Sequence, residues 1–404
     1  MIDLAAIRDQ FPALGRVHRG HAVAYFDGPG GTQVPASVVR AMGAYLLEHN
    51  ANTHWAYPSS EETDELILGA RRAFAEFFNA RPEEVAFGQN MTALTFHLAR
   101  GLGRAWGPGD EIVITDLDHH ANRAPWEALA VERGVTLRVV PFSPGSGELC
   151  WDRLDASLTT RTRLLALGAA SNALGTVTDV PRAVRLAHHR GALCFVDAVH
   201  YAPHGLIDVA EWDCDFLVCS PYKFYGPHLG VLWGRERLLN AVDVPRLDPA
   251  PQRAPERLES GTLSHEAIVG AAEAVRFLSS LDGGTPALRD GLSASLAGVH
   301  RIGEALLARL WSGLESLPAV RLYGPPPGRP RTPTLGFTLD GVPSGQAVRR
   351  LAERGLFLSH GDFYAATVIE RLGLGSEGLV RAGCACYTSE AEVDRLLEGV
   401  AALV

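Results

Sequence analysis

Six short apolar runs, each ending in a polar cluster, recur between Val85 and Cys219 of this 404-residue chain. They occupy 85–87, 111–115, 137–140, 164–167, 193–196 and 216–219. Runs without polar alternation are what strands show when both faces are covered. The helical patterns between them, at 92–102, 125–133 and 181–190, supply the covering layers. The pattern predicts an α/β domain on a parallel sheet. A Pro- and Arg-rich stretch at 245–257 reads as a long loop. After about Ser264 the texture changes to Ala/Leu-rich helices, with strands at 334–339, 356–358 and 379–386. The last helix opens with the capping-box spacing of Ser389 and Glu392. Three segments are expected: 1–25, packing with the C-terminal part; 26–262, the large α/β domain; and 263–404, a smaller α+β domain.

Asp and Glu number 46 against 37 Lys and Arg, a formal net charge of -9. With no basic run against that background, neither nucleic acid nor an anionic membrane surface is expected as a partner. The first residues, Met1 to Asp9, carry acidic groups and no long apolar core, so they read as a short amphipathic helix and not a signal peptide. No apolar stretch reaches the roughly 18 residues that would suggest a membrane span. Six cysteines without a CxxC pair fit a reducing cytoplasm. The expected partner is a small molecule.

In an open parallel sheet, ligands bind beyond the carboxyl ends of the strands. Those ends carry Asn90, Met91 and Thr92; Asp116 to Asn122; Ser171 and Asn172; Asp197 to His200; and Ser220 to Lys223. Lys223 is the only lysine in the chain. Arg serves wherever else a positive charge is needed, so a lone lysine points to a task that a permanently protonated guanidinium cannot perform. An ε-amine can lose its proton and condense with an aldehyde. Asp197 ends a fully apolar strand, where an unpaired charge is costly, and a protonated pyridine nitrogen would pair with it. Thr92 opens a helix whose N-terminal N–H groups would receive a phosphate, with Ser220 as a second hydroxyl. Together these residues are equipment for holding pyridoxal 5'-phosphate.

Other readings of single motifs are weaker. His119 and His120 are adjacent and lack a third ligand at metal spacing, so no metal is expected, and one of them packed on a cofactor ring is the better idea. Cys384 and Cys386 would share one face of a strand, as core packing. The Gly28-Pro29-Gly30-Gly31 turn lets backbone approach something closely. No GxSxG, Walker A or GxGxxG pattern appears.

These residues carry a resemblance. Ala24 to Asp27, Asp118 to Trp126, Ser171 to Val177, Val196 to His200, Ser220 to Lys223, Val380-Arg381 and Glu392 to Leu397 resemble class V aminotransferase-type, fold type I pyridoxal-phosphate enzymes. The cysteine desulfurase-like branch is the most similar. The resemblance implies a mostly parallel seven-stranded sheet in the large domain and a homodimer with shared active sites. It implies an aldimine at Lys223, Asp197 on the pyridine nitrogen and His119 on the ring. Asn172 would stand by the phenolic oxygen, with Thr92, Ser220 and His200 at the phosphate, alongside Asn90 and Met91. Arg381, with Asn172, would take the substrate carboxylate, and Thr262 would reach the neighbouring subunit's phosphate. Desulfurases carry a nucleophilic Cys on a small-domain loop, but the matching stretch here, Ser359 to Tyr364, has none. The expected function is therefore transamination, C–S or other β-elimination, or epimerisation of a small amino acid. A kynureninase-like hydrolase, or a retired scaffold that binds a sulfur-transfer partner, stands as the alternative.

Overall fold

The computed structural model describes residues 2–283 and 287–404. Its main sheet has seven strands, in the spatial order Val85–Gly88, Gly230–Gly234, Phe216–Cys219, Leu193–Asp197, Thr162–Gly168, Glu111–Thr115 and Thr136–Val140. Only Gly230–Gly234 runs against the others, antiparallel to both of its neighbours. The remaining contacts are parallel. Six carboxyl ends therefore open on one edge of the sheet.

The apolar runs form these strands because every second side chain enters a different core. Val113, Leu165, Val196 and Leu217 pack on one face with Phe74, Phe77 and Ile268. Ile112, Leu164, Phe195 and Phe216 pack on the other with Leu98, Trp126 and Leu129. The edge strand Thr136–Val140 is the exception, exposed at Thr136 and Val139, whereas the opposite edge strand, Val85–Gly88, is covered.

Helix Met91–Gly103 begins at Asn90, whose side chain accepts the Ala93 N–H at 2.8 Å. The cap is therefore Asn90, and Thr92 lies inside the first turn. Any side chain at Gly230 would collide with the Asn90 backbone, so glycine there lets this helix start seat against the sheet.

Four antiparallel strands form the second sheet, in the order Val320–Tyr323, Thr334–Leu339, Leu379–Gly383 and Ser359–Gly361. The helices Leu288–Glu315 and Glu390–Ala401 contribute Leu306, Leu310, Val393 and Leu396 to its core. The helix Glu390–Ala401 opens with the expected capping box, and Arg8 reinforces it through Glu392 at 2.9 Å. The N-terminal stretch spans both bodies: Ile7 and Phe11 lie in the main core, while Ala24–Tyr25 pairs in parallel with Leu356–Phe357.

One expectation fails here. The last strand ends at Gly383, not at residue 386. Cys384 packs into the core of the second sheet and Cys386 into that of the main sheet, where its N–H donates to Tyr225 Oη at 3.0 Å. The chain crosses between bodies at this point, so the two thiols do not share a face.

Candidate active site

A cleft of about 600 Å3 opens at the carboxyl edge of the main sheet. Asn90, Met91, Thr92, His119, Asn172, Asp197, His200, Ser220 and Lys223 all line it. Two of the expected site residues do not. Thr262 lies in a separate groove beside Glu259 and His265. Arg381 is buried next to the cleft, with its guanidinium already engaged: Nη1 donates to Asn172 O at 3.0 Å, Nε to Ser359 Oγ at 3.2 Å and Nη2 to Asp27 Oδ1 at 3.3 Å.

Lys223 follows the Phe216–Cys219 strand in a short turn, Pro221–Lys223. Its Nζ donates to Gly30 O at 2.9 Å and to Pro29 O, so the glycine-rich turn approaches the lysine. Burial, aided by the nearby Arg381 charge and opposed by Asp27 and Asp197, brings the amine down to about 7. Near neutral pH a substantial fraction of this amine carries a lone pair.

Asp197 ends its strand with Oδ1 accepting the Val199 N–H at 2.9 Å. Burial raises it to about 6, against the pull of that hydrogen bond and of Lys223. Asp118 is a second buried carboxyl in the wall of the cleft, accepting from Thr115 Oγ1 at 2.8 Å and from the Gly168 N–H. Burial, with a contribution from Asp197, pushes it to about 7. Asp118 is not among the residues that the sequence assigns to the site; its position, three residues beyond a strand end and next to His119, is the local signal that marks it.

His119 is held by the Ala121 N–H, which donates to its Nδ1 at 2.9 Å, and burial, with Lys223 nearby, lowers it to about 4. Its ring is neutral at pH 7. His200 is buried with Nε2 at 3.1 Å from both Thr332 Oγ1 and Thr334 Oγ1, and burial lowers its proton affinity as well. Asn172 donates from Nδ2 to Phe363 O at 2.9 Å, while its Oδ1 is buried without a partner. Among the described residues no group of three or more His, Cys, Asp or Glu is arranged to hold a metal.

This donor set fits pyridoxal phosphate. An orphaned amide oxygen calls for a polar group in the cleft. A deep carboxylate with a single backbone bond calls for a cation. A 13-residue helix starts at the cleft wall, where its first N–H groups suit an anion.

The sequence matches the family described as Aminotransferase class-V over residues 24–396. A protein of Streptomyces coelicolor named as a probable cysteine desulfurase is 33% identical, over 99% of this chain and 97% of its own. An apo cysteine desulfurase structure from Thermococcus onnurineus superposes with a TM-score of 0.90 at 27% identity, covering 100% of this chain and 98% of that one. A further solved structure, described as a C-DES mutant with glycine covalently linked to its PLP cofactor, has a TM-score of 0.80 over 98% of each chain. At 23% identity it speaks for the fold alone. This chain belongs to the class V aminotransferase family. It is an enzyme of that pyridoxal-phosphate-dependent, cysteine desulfurase-like group, with the fold type I architecture.

Proposed function

We propose that the protein is a homodimeric enzyme that breaks the Cα–H bond of a small-molecule amino acid, with Lys223 as the base and without an enzyme thiol. The observation that carries this reading is an amine brought to about 7 in the wall of the cleft. Lys223 would hold the cofactor through Nζ and, when released, take or return the Cα proton at that atom. Bound there, pyridoxal phosphate supplies an electron sink for the pair left on Cα. Asp197 would pair with its ring nitrogen, His119 would lie on its ring, and Asn172 would meet its phenolic oxygen. The first turn of the Met91–Gly103 helix, with Thr92, Ser220 and His200, would hold its phosphate.

Arg381, once a carboxylate competes for its donors, would bind the substrate's α-carboxylate. Thr262 stands apart from the cleft of its own chain, which is where a residue serving a second subunit has to be. Transamination, β-elimination and epimerisation divide after the Cα–H bond breaks, according to where the next proton goes.

None of the six cysteines lines the cleft among the described residues, and five are buried in the cores. Their placement supports a reaction without thiol attack on the substrate. The shared step is tested by incubating the cofactor-loaded protein with alanine or cysteine in D2O and following deuterium at Cα by NMR. Exchange that disappears in Lys223→Ala is the expected result, and its absence from the wild type sinks the proposal.

A further inference from the structure

The loop after strand Ser359–Gly361 brings two aromatic residues, Phe363 and Tyr364, against the rim of the cleft. Both have φ of +56°. Consecutive bulky residues in the left-handed region persist only where surrounding contacts over-determine them. One of those contacts comes from Asn172 in the cleft wall and the others from the segments beside it. Asn172 Nδ2 donates to Phe363 O at 2.9 Å, and the His120 N–H donates to Tyr364 O at 2.7 Å. Asp362 Oδ1 accepts the Tyr364 N–H at 2.9 Å. Just beyond, Thr367 Oγ1 donates to Asp116 O at 3.1 Å and Arg371 pairs with the Asp116 carboxylate.

The clamp sets the two rings against Arg381 and His119. The Phe363 ring lies 4.0 Å from the Arg381 guanidinium carbon, so a carboxylate reaching Arg381 comes alongside it. The Tyr364 ring centroid is 5.5 Å from that of His119, yet 74% of Tyr364 is exposed at the mouth. A large ring left in solvent on a strained backbone contributes little to folding. We propose that Phe363 and Tyr364 are specificity-determining residues. Their rings form a side-chain subsite for neutral amino acids whose β-substituent is aromatic or carries a thioether, and Asp362 beside them disfavours acidic substrates. This assignment rests on the proposed function, in which Arg381 takes the α-carboxylate and His119 lies on the cofactor ring.

The cofactor-loaded protein is titrated with alanine, S-benzylcysteine and aspartate while the cofactor absorption band is followed. The wild type is expected to bind S-benzylcysteine about tenfold more tightly than alanine, as an aromatic contact allows, and aspartate most weakly. Phe363→Leu keeps apolar volume and loses the ring, whereas Tyr364→Ala removes the exposed ring. Each is expected to narrow the preference for S-benzylcysteine by about threefold to tenfold, in line with the loss of one aromatic pair. A preference unchanged within about twofold in both variants, with the response to alanine intact, overturns the subsite and leaves the proposed function standing. Aspartate binding more tightly than alanine likewise overturns the subsite. A wild-type band that responds to no amino acid removes both.

Discussion

The two ends of one strand in the main sheet treat a buried carboxyl in opposite ways. Glu111 opens the strand Glu111–Thr115 at 2% exposure and is surrounded: Arg138 at 2.8 Å, Arg161 at 2.6 Å and Thr159 Oγ1 at 2.7 Å. Those partners, Arg138 first, hold it down at about 2. Asp118 lies three residues beyond the other end, at 3% exposure, with donors only from Thr115 and Gly168. No guanidinium pairs with it or with Asp197 among the described residues, and burial raises the two to about 7 and about 6. Where charge serves the fold, the sequence supplies the counter-ion. Beyond the other end Asp116 is likewise paired, with Arg123 and Arg371, whereas the desolvation cost of Asp118 and Asp197 is left standing at the edge where open parallel sheets bind ligands.

The largest effects are expected at that carboxyl edge. Borohydride reduction of the loaded protein, followed by mass spectrometry, should fix the cofactor on Lys223, the only lysine in the sequence. A wild-type protein left unlabelled at Lys223 would break the contrast at its centre. Lys223→Ala should lower Cα exchange by at least about 10^3-fold, the scale of a lost base and attachment point. Asp197→Asn should keep some cofactor and lose about 10^2- to 10^3-fold in turnover, because the amide cannot compensate a ring cation. Turnover near the wild-type rate would place another residue at the ring nitrogen.

A smaller pair of effects should differ in sign. Glu111 falls from an ordinary 4.5 to about 2 in the folded protein. Its stabilisation is therefore complete above 4.5 and disappears as pH falls toward 2. Glu111→Gln should cost about 2 kcal/mol at pH 8, less than a fully buried pair because Arg161 is exposed and can be hydrated again. Asp118 instead rises from 3.8 to about 7. Folding is then penalised progressively between pH 3.8 and 7, and in full above that. Asp118→Asn should stabilise the cofactor-free protein by about 1–2 kcal/mol at pH 8, with the gain shrinking toward pH 4. Urea midpoints at pH 8 and 5 measure both variants, and the same sign for the two at pH 8 would remove the distinction.

Much of this contrast was legible in the sequence. Unbroken apolar runs fit strands such as Leu193–Asp197, and their polar ends delimited the cleft, because both signals are local. The lone lysine marked its own position. What escaped depends on distant partners. Asp118 is defined by the Gly168 N–H, fifty positions away, and by the burial of both. The engaged guanidinium of Arg381 depends on Asp27 and Asn172, and the conformations of Phe363 and Tyr364 on His120 and Asn172. The helix cap went to Asn90 because its side chain reaches the Ala93 N–H, a choice that propensity alone leaves open between neighbouring polar residues.

The smallest expected effect concerns sulfur. If cysteine is a substrate, water and cysteine should yield pyruvate, ammonia and hydrogen sulfide, the C–S bond leaving directly and no persulfide forming on the protein. Burial pushes Cys384 and Cys386 up to about 12 and raises Cys194, Cys214 and Cys219 as well. Their thiolates are scarce at neutral pH, and the thiolate is the nucleophile. Cys150 is partly exposed but precedes the helix Trp151–Ser157, away from the cleft lining. Replacing each cysteine singly by alanine, in variants that retain cofactor, should therefore change sulfide release by no more than about twofold, the scatter expected of substitutions that touch no reacting group. Alanine in place of pyruvate as the product, together with a persulfide trapped on one cysteine whose replacement abolishes activity, would show that a thiol outside the cleft reaches it during turnover. The charged wall would then share its chemistry with a group that the fold otherwise holds in the core.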